Sequence, residues 1–294
     1  MTGKEQEAPD SIDHAIILSE ALNQEHPNDS QVLYELGLDY GESSGIAHPD
    51  DPGEKSRPLD DVRKALTASE AALRVKPDDP RILHLYATNL GGIGQYLVDT
   101  DPRAALPYYQ RELEIERKLT QRSSAIRYAS GVAHAYGQIT NAYEYIGDNT
   151  REFENAAKAL AIYQDLSHQD SKNASLGQHA ACSEKMGEAS ALAGDPAKAA
   201  DYFHQALAVA EPLISPKNEA PDYFHAEPIA LYAAADAYSG LGDLSFRKAQ
   251  RPGQTPAQQK VIWTEARSWY AKSLETWRRI GHPNHRWGQQ LRRG

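Results

Sequence analysis

The sequence predicts an all-α solenoid, a stack of antiparallel helix pairs without strands, and three observations predict it. A turn-and-helix unit is copied along the chain: Gly194-Asp195-Pro196 leads into Ala199, Phe203, Ala206 and Leu207, Gly147-Asp148 follows Tyr143, and Gly242-Asp243 is followed after an insertion by Ala266, Tyr270 and Leu274. Apolar residues recur at helical spacing, and no segment alternates as a half-buried strand would. The third observation is composition. Of the 294 residues 40% are hydrophobic, but four Phe and two Met stand against sixteen Tyr. Alanine and tyrosine must therefore fill the core, which suits thin layers of closely packed helices with aromatic plugs better than one thick globule.

The elements follow in order. Residues 1–9 read as a disordered N-terminus. Ser11 precedes a helical pattern at Ile12, Ala15, Ile16 and Leu18 that continues through Ala21 and Leu22 and is ended by Pro27. Residues 41–60, GESSGIAHPDDPGEKSRPLD, hold too many Gly, Ser, Pro and Asp for a helix and form an inserted loop. Helix starts are marked by a capping residue followed by proline, whose missing N–H costs nothing at the first helical position: Asp79-Pro80, Asp101-Pro102, Asp195-Pro196 and Thr255-Pro256. Pro107 lies inside the run after Asp101 and predicts a bend or a delayed start. A second insertion is expected at 249–255. Gly94, Gly147, Gly194 and Gly242 align as the turns, 53, 47 and 48 residues apart. A single array over 10–280 and a basic tail over 281–294 complete the reading.

Set against these turns, the residues resemble the tetratricopeptide repeat family. Leu33, Leu36, Gly37 and Tyr40 match the first helix of one unit, and Ala65, Ala72 and Pro77 its second. Leu83, Tyr86, Ala87, Leu90 and Gly94 continue into a second unit, closed by Ala104 or Ala105 with Tyr108 or Tyr109. Tyr136, Ile139, Thr140, Tyr143 and Gly147 open a third. Met186, Gly187, Gly194, Ala199, Phe203 and Ala206 make a fourth, and Leu231, Ala235, Tyr238, Gly242, Ala266 and Tyr270 a fifth. The family's usual unit is about 34 residues, so the extra length here must lengthen helices to roughly twenty residues, or about 30 Å, and fill the two insertions. Long-helix arrays attached to bacterial serine/threonine kinases look similar, especially at DPRAALPYYQRELEIERKL and WTEARSWYAKSLETWRRI, although no HRD, DFG or Gly-rich kinase loop is present.

The resemblance implies a right-handed superhelix whose concave wall binds an extended peptide or protein segment. The groove-facing positions, carried over residue by residue, are Tyr34, Arg81, His84, Thr88, His134, Asn141, Glu144, Tyr145, Glu184, Glu188, Tyr232 and Asp236, with Gln138 one turn after His134. Of the paired Lys and Asn with which the family clamps a C-terminal carboxylate, only Asn141 matches. The acidic residues Glu184, Glu188 and Asp236 favour a segment carrying basic side chains. The alternative is a regulatory or sensory ligand-binding array partnered with a signalling enzyme.

Catalytic and cofactor chemistry is not expected. Gly91-Gly92-Ile93-Gly94 lacks the GK[ST] ending of a phosphate loop and is assigned to the repeat turn. His179 and Cys182 share a helical face but lack further zinc ligands nearby, and His282 and His285 lie in the Pro-containing tail. With the single cysteine Cys182 there is no intramolecular disulfide. The N-terminal residues show no secretory pattern, so a cytoplasmic location is expected. Net charge is −10, divided unevenly: residues 244–294 hold eleven Lys/Arg against two Asp/Glu, and the remainder twenty against thirty-nine. The polarity suits salt-sensitive self-association and does not by itself indicate nucleic acid. All four tryptophans, Trp263, Trp269, Trp277 and Trp287, fall in the basic segment, where Trp263, Ala266, Tyr270, Leu274 and Trp277 predict the apolar stripe of a last helix packing back on the array rather than lying on a membrane.

Overall fold

The computed structural model describes residues 4–45, 57–169, 175–215 and 226–280. The loop segment 46–56 and the tail with His282, His285 and Trp287 lie outside the described residues. Eleven α-helices are formed among the described residues, and no strand: α1 Lys4–Glu25, α2 Ser30–Ser44, α3 Arg57–Val75, α4 Pro80–Leu97, α5 Pro102–Arg122, α6 Ile126–Ile146, α7 Asn149–Gln169, α8 Ser175–Leu192, α9 Pro196–Leu213, α10 Ala226–Ala249 and α11 Pro256–Ile280. Two compact units are defined, residues 1–152 and 153–294. Within each unit neighbouring helices pack in chain order, α1 to α6 in the first and α8 to α11 in the second, the all-α arrangement of tetratricopeptide-like helix pairs.

The boundaries rest on local chemistry. Asp29, Asp79, Asp101 and Asp195 each accept backbone N–H bonds as N-caps, and Pro80, Pro102 and Pro196 follow in the first turn. Thr255 forms a reciprocal capping box, its N–H donating to Gln258 Oε1 at 2.9 Å while the Gln258 N–H donates to Thr255 Oγ1 at 3.3 Å. Three expectations shift. Helix α1 already includes residues 4–9, α5 runs from Pro102 straight through Pro107, and the expected loop 41–60 is helical at both ends, since α2 runs to Ser44 and α3 begins at Arg57. Pro107 sits early enough that its missing donor costs a single bond, to the carbonyl of Arg103.

The glycine alignment divides into two kinds. Gly147 and Gly194 are turns, with φ of 79° and 81°. In each, the following aspartate N–H reaches back to a carbonyl of the last turn, Asp148 to Tyr143 and Asp195 to Ser190, both at 3.0 Å. Gly94 and Gly242 instead lie inside α4 and α10. A Cβ at Gly94 would fall 2.4 Å from the Tyr109 ring, and one at Gly242 2.7 Å from the Tyr270 ring. These glycines are slots for the tyrosine of the following helix, and the turn assigned to Gly91–Gly94 lies after Leu97.

In the first unit α1 to α6 pack sequentially, and the first helices of successive pairs, α2 with α4 and α4 with α6, also touch. Its core is a series of small clusters around Leu33, Leu36, Tyr40, Ile82, Leu90, Tyr109, Ile115 and Tyr128. In the second unit α8, α9, α10 and α11 share one cluster built on Ala180, Ala199, Ala206, Ala210, Ala230 and Ala234 around Phe203. Phe203 is 1% exposed, and a Cβ at Gly187 or Gly240 would come within 2.6 or 2.3 Å of its ring. Helix α11 buries Ile262, Ala266, Ser273 and Thr276, with Trp269 stacked on Tyr238 at 6.0 Å. That face is rotated from the expected stripe and leaves Trp263 and Leu274 exposed by 41% and 52%.

Candidate functional site

The most unusual chemistry lies where α4, α5 and α6 meet. Helix α5 buries Ala105, Tyr109, Glu112, Glu116 and Leu119 along one stripe, so two carboxylates one turn apart occupy core positions, at 2% and 1% exposure. Each is met by a histidine from a flanking helix. His84 Nδ1 of α4 lies 2.6 Å from Glu116 Oε1, and His134 Nδ1 of α6 lies 3.2 Å from Glu112 Oε1. The His84 ring is also set edge-on to Tyr128 at 5.5 Å. Small residues make room for the carboxylates. A Cβ on Gly131 would stand 2.6 Å from Glu116 Oε2, and one on Gly91 2.3 Å from Glu112 Oε2.

The second carboxylate oxygens, Glu112 Oε2 and Glu116 Oε2, have no protein hydrogen-bond partner, nor has the buried Gln138 Oε1. Glu112 Oε2 and Gln138 Oε1 both approach the point a Gly91 Cβ would occupy, at 2.3 and 3.0 Å. Turning the Gln138 amide or placing a proton on Glu112 supplies the missing donor. Burial pushes the carboxyls of Glu112 and Glu116 above the usual range, against the pull of His134 and His84 respectively. For His134 burial works toward a lower value, but the hydrogen bond and charge of Glu112 prevail and raise it. The histidine side chains are 30% and 46% exposed, so each ring is held at Nδ1 by a carboxylate while part of its surface faces solvent.

The remaining groove positions distribute as follows. Arg81 pairs with Asp79 at 3.2 Å and covers the Tyr34 ring at 5.6 Å. Thr88 Oγ1 donates to the His84 carbonyl. Asn141 and Tyr145 are exposed on α6, and Glu144 is half-buried. In the second unit Glu188 is bonded by Lys185 at 2.9 Å, Tyr232 is packed edge-on against Trp277 at 5.6 Å, and Asp236 is half-buried. Glu184 is 3% exposed and so does not present its charge to solvent. Glu112 and Glu116 were not among the sequence candidates. Their signal was two glutamates on a stripe otherwise made of Ala, Tyr and Leu.

The second unit also holds a cleft of about 450 Å³ between α7, α8 and α9, floored by Leu160 and Met186 and rimmed by Gln164, Lys198, Asp201 and Gln205. His179 and Cys182 are buried, and burial pushes the thiol up to about 12 and the imidazole down. Among the described residues no group of three or more His, Cys, Asp or Glu could hold a metal ion, and no helix is long and apolar enough to cross a membrane.

Helix pairs with αL turns between their two helices and glycines that admit a ring of the neighbouring helix define a helical-repeat protein of tetratricopeptide-like fold. Solved structures of low sequence identity are similar to this chain. The nuclear import adaptor Nro1, a hypoxic regulator of sterol synthesis, superposes with a TM-score of 0.57 at 15% identity, over 94% of this chain and 82% of Nro1. BtubC (BKLC) from P. vanneervenii gives 0.55 at 13% identity, over 97% and 96%. The thermophilic tetratricopeptide protein TTC0263 from Thermus thermophilus gives 0.38 at 18% identity, over 82% and 100%. No family model and no curated protein matches the sequence.

Proposed function

We propose that this protein is a non-catalytic binding scaffold whose repeat surface holds an extended segment of another protein. The observation that carries this is the pair His84 and His134, on adjacent first helices of the repeat, each oriented by a buried glutamate and each with a partly exposed ring. Ordering side chains before a ligand arrives lowers the entropic cost of binding. Arg81, Thr88, Gln138, Asn141, Glu144 and Tyr145 extend the same surface in the first unit, and Glu188, Tyr232 and Asp236 supply a second stretch that favours basic side chains. Buried Glu184 acts there only through its neighbours. That Nro1 is described as an import adaptor supports a role in holding other proteins on this fold.

The test is selection from a displayed library of random peptides about ten residues long, a length that spans roughly 33 Å extended. The wild type is expected to enrich a consistent sequence pattern, and Asn141→Ala with Tyr145→Ala is expected to weaken its binding at least tenfold. No enrichment, or enrichment that these substitutions leave unchanged, would overturn the reading. The cleft of about 450 Å³ in the second unit favours a second reading, regulation by a small molecule. It requires a ligand that raises the melting temperature of the wild type and does so less when Tyr202 is replaced by Ala.

A further inference from the structure

Helix α1 is apolar on two opposite sides. One side packs on α2: Ile12 and Ser19 are buried, Ile16 joins the cluster of Leu36 and Tyr40, Ser19 donates to Asp39, and Tyr40 donates to Glu20. The other side presents Ile17, Leu18, Ala21 and Leu22, with Ile17, Leu18 and Leu22 exposed by 61%, 65% and 48%. Isolated exposed apolar residues need no explanation. Four in six residues on the outer side of a helix whose inner side is already packed form a face that another element is suited to cover.

The charges choose the occupant. Helix α1 carries one lysine against six carboxylates, so two copies of α1 would repel each other. Helix α11 carries Lys260, Arg267, Lys272, Arg278 and Arg279 against two carboxylates, and Lys260, Arg267 and Arg278 are exposed. It also exposes Val261 by 68%, Leu274 by 52% and Trp263 by 41%. The first and last helices therefore combine exposed apolar side chains with opposite charge. We propose that the outer face of α1 is a docking surface for α11 of a second copy of this chain. The contact joins two different faces, so every association it makes, whether closed or growing, requires both the α1 face and the α11 face. It is independent of the peptide-binding surface.

Sedimentation of the full chain at about 50 mM and about 500 mM salt provides the test, because screening shortens the reach of the charges severalfold between the two. The wild type is expected to associate with concentration at low salt and to dissociate at high salt. Two variants, Leu18→Glu with Leu22→Glu and Arg267→Glu with Arg278→Glu, are each expected to stay monomeric, since all four positions are exposed and unfolding by heat checks that the fold persists. Mixed together, they are expected to form a one-to-one dimer that cannot grow, because each supplies the face the other lacks. A wild type that remains monomeric at low salt overturns the proposal. So does association that survives in the α11 variant, which would mean α1 on α1, or a mixture in which nothing forms.

Discussion

The two units follow one repeat plan and fill it differently. Around Phe203 the second unit packs alanines from α8, α9 and α10 so closely that two glycines are needed to seat a single ring. The first unit places polar groups at equivalent depth: Ser43 donates to Asp61 at 2.8 Å, Asn89 to Ser69 at 3.3 Å, and Glu112 and Glu116 meet the two histidines. Burial of a charge costs several kcal/mol unless it is paired. The first unit thus accepts a stability cost to hold ionisable groups just beneath an exposed surface, whereas the Phe203 cluster is apolar packing throughout. The second unit buries ionisable groups too, His179 and Glu184 on α8, so the contrast lies between the alanine packing around Phe203 and the histidine-paired carboxylates of α5.

The largest test of that contrast is Phe203→Ala. Removing a fully enclosed phenylalanine from a close-packed core costs about 3–5 kcal/mol, and the flanking Gly187 and Gly240 have no side chains to collapse into the space. Amide exchange is expected to lose protection in α8, α9 and α10 while α2 to α5 keep theirs. Equal loss in both units would mean that they unfold as one and that the contrast has no energetic meaning.

A smaller effect is expected from Glu112→Gln, and its sign depends on pH. Glu112, Glu116 and His134 all have raised values, so the folded first unit holds protons more tightly than the unfolded chain. Stability from such groups is fully present below the unfolded carboxylate value of 4.5 and is lost as pH climbs through the raised folded values, that of His134 lying above 6.5. Glutamine removes one of these protons and gives Gln138 Oε1 an amide donor. The variant is expected to be about 1 kcal/mol more stable than wild type at pH 8, with the gain shrinking toward pH 5. Urea unfolding at the two pH values checks it, and an unchanged pH dependence would show that Glu112 does not titrate in this range.

Legibility in the sequence followed the range of the interactions. The capping aspartates with their prolines were readable because donor and acceptor are two or three residues apart. The helix starts followed from them, whereas the period rested on the glycine alignment, two of whose four members are not turns. Gly94 and Gly242 were misread because a glycine that opens a turn and one that admits a ring look alike until the ring is placed, and Tyr109 and Tyr270 come from another helix. His84 and His134 were found as groove positions, but their partners lie 32 and 22 residues away, and nothing local joins them. The clue available was physical: glutamate twice on a stripe that otherwise buries Ala, Tyr and Leu requires partners somewhere in the fold.

The smallest effect sharpens the comparison by showing what the units share. Asp79 caps α4 in the first unit and Asp195 caps α9 in the second, each accepting a backbone N–H, from Arg81 at 2.9 Å and from Lys198 at 3.0 Å. Both precede a proline and both are followed by the apolar stripe of a repeat helix. Alanine at either position should therefore cost about 1 kcal/mol, with little difference between the two. Urea midpoints of Asp79→Ala and Asp195→Ala measure this directly. Matching losses would place the contrast between the units in their cores, because the same boundary chemistry serves both. A loss confined to Asp195→Ala would mean instead that the first unit is held by its buried polar contacts firmly enough to tolerate a frayed helix end.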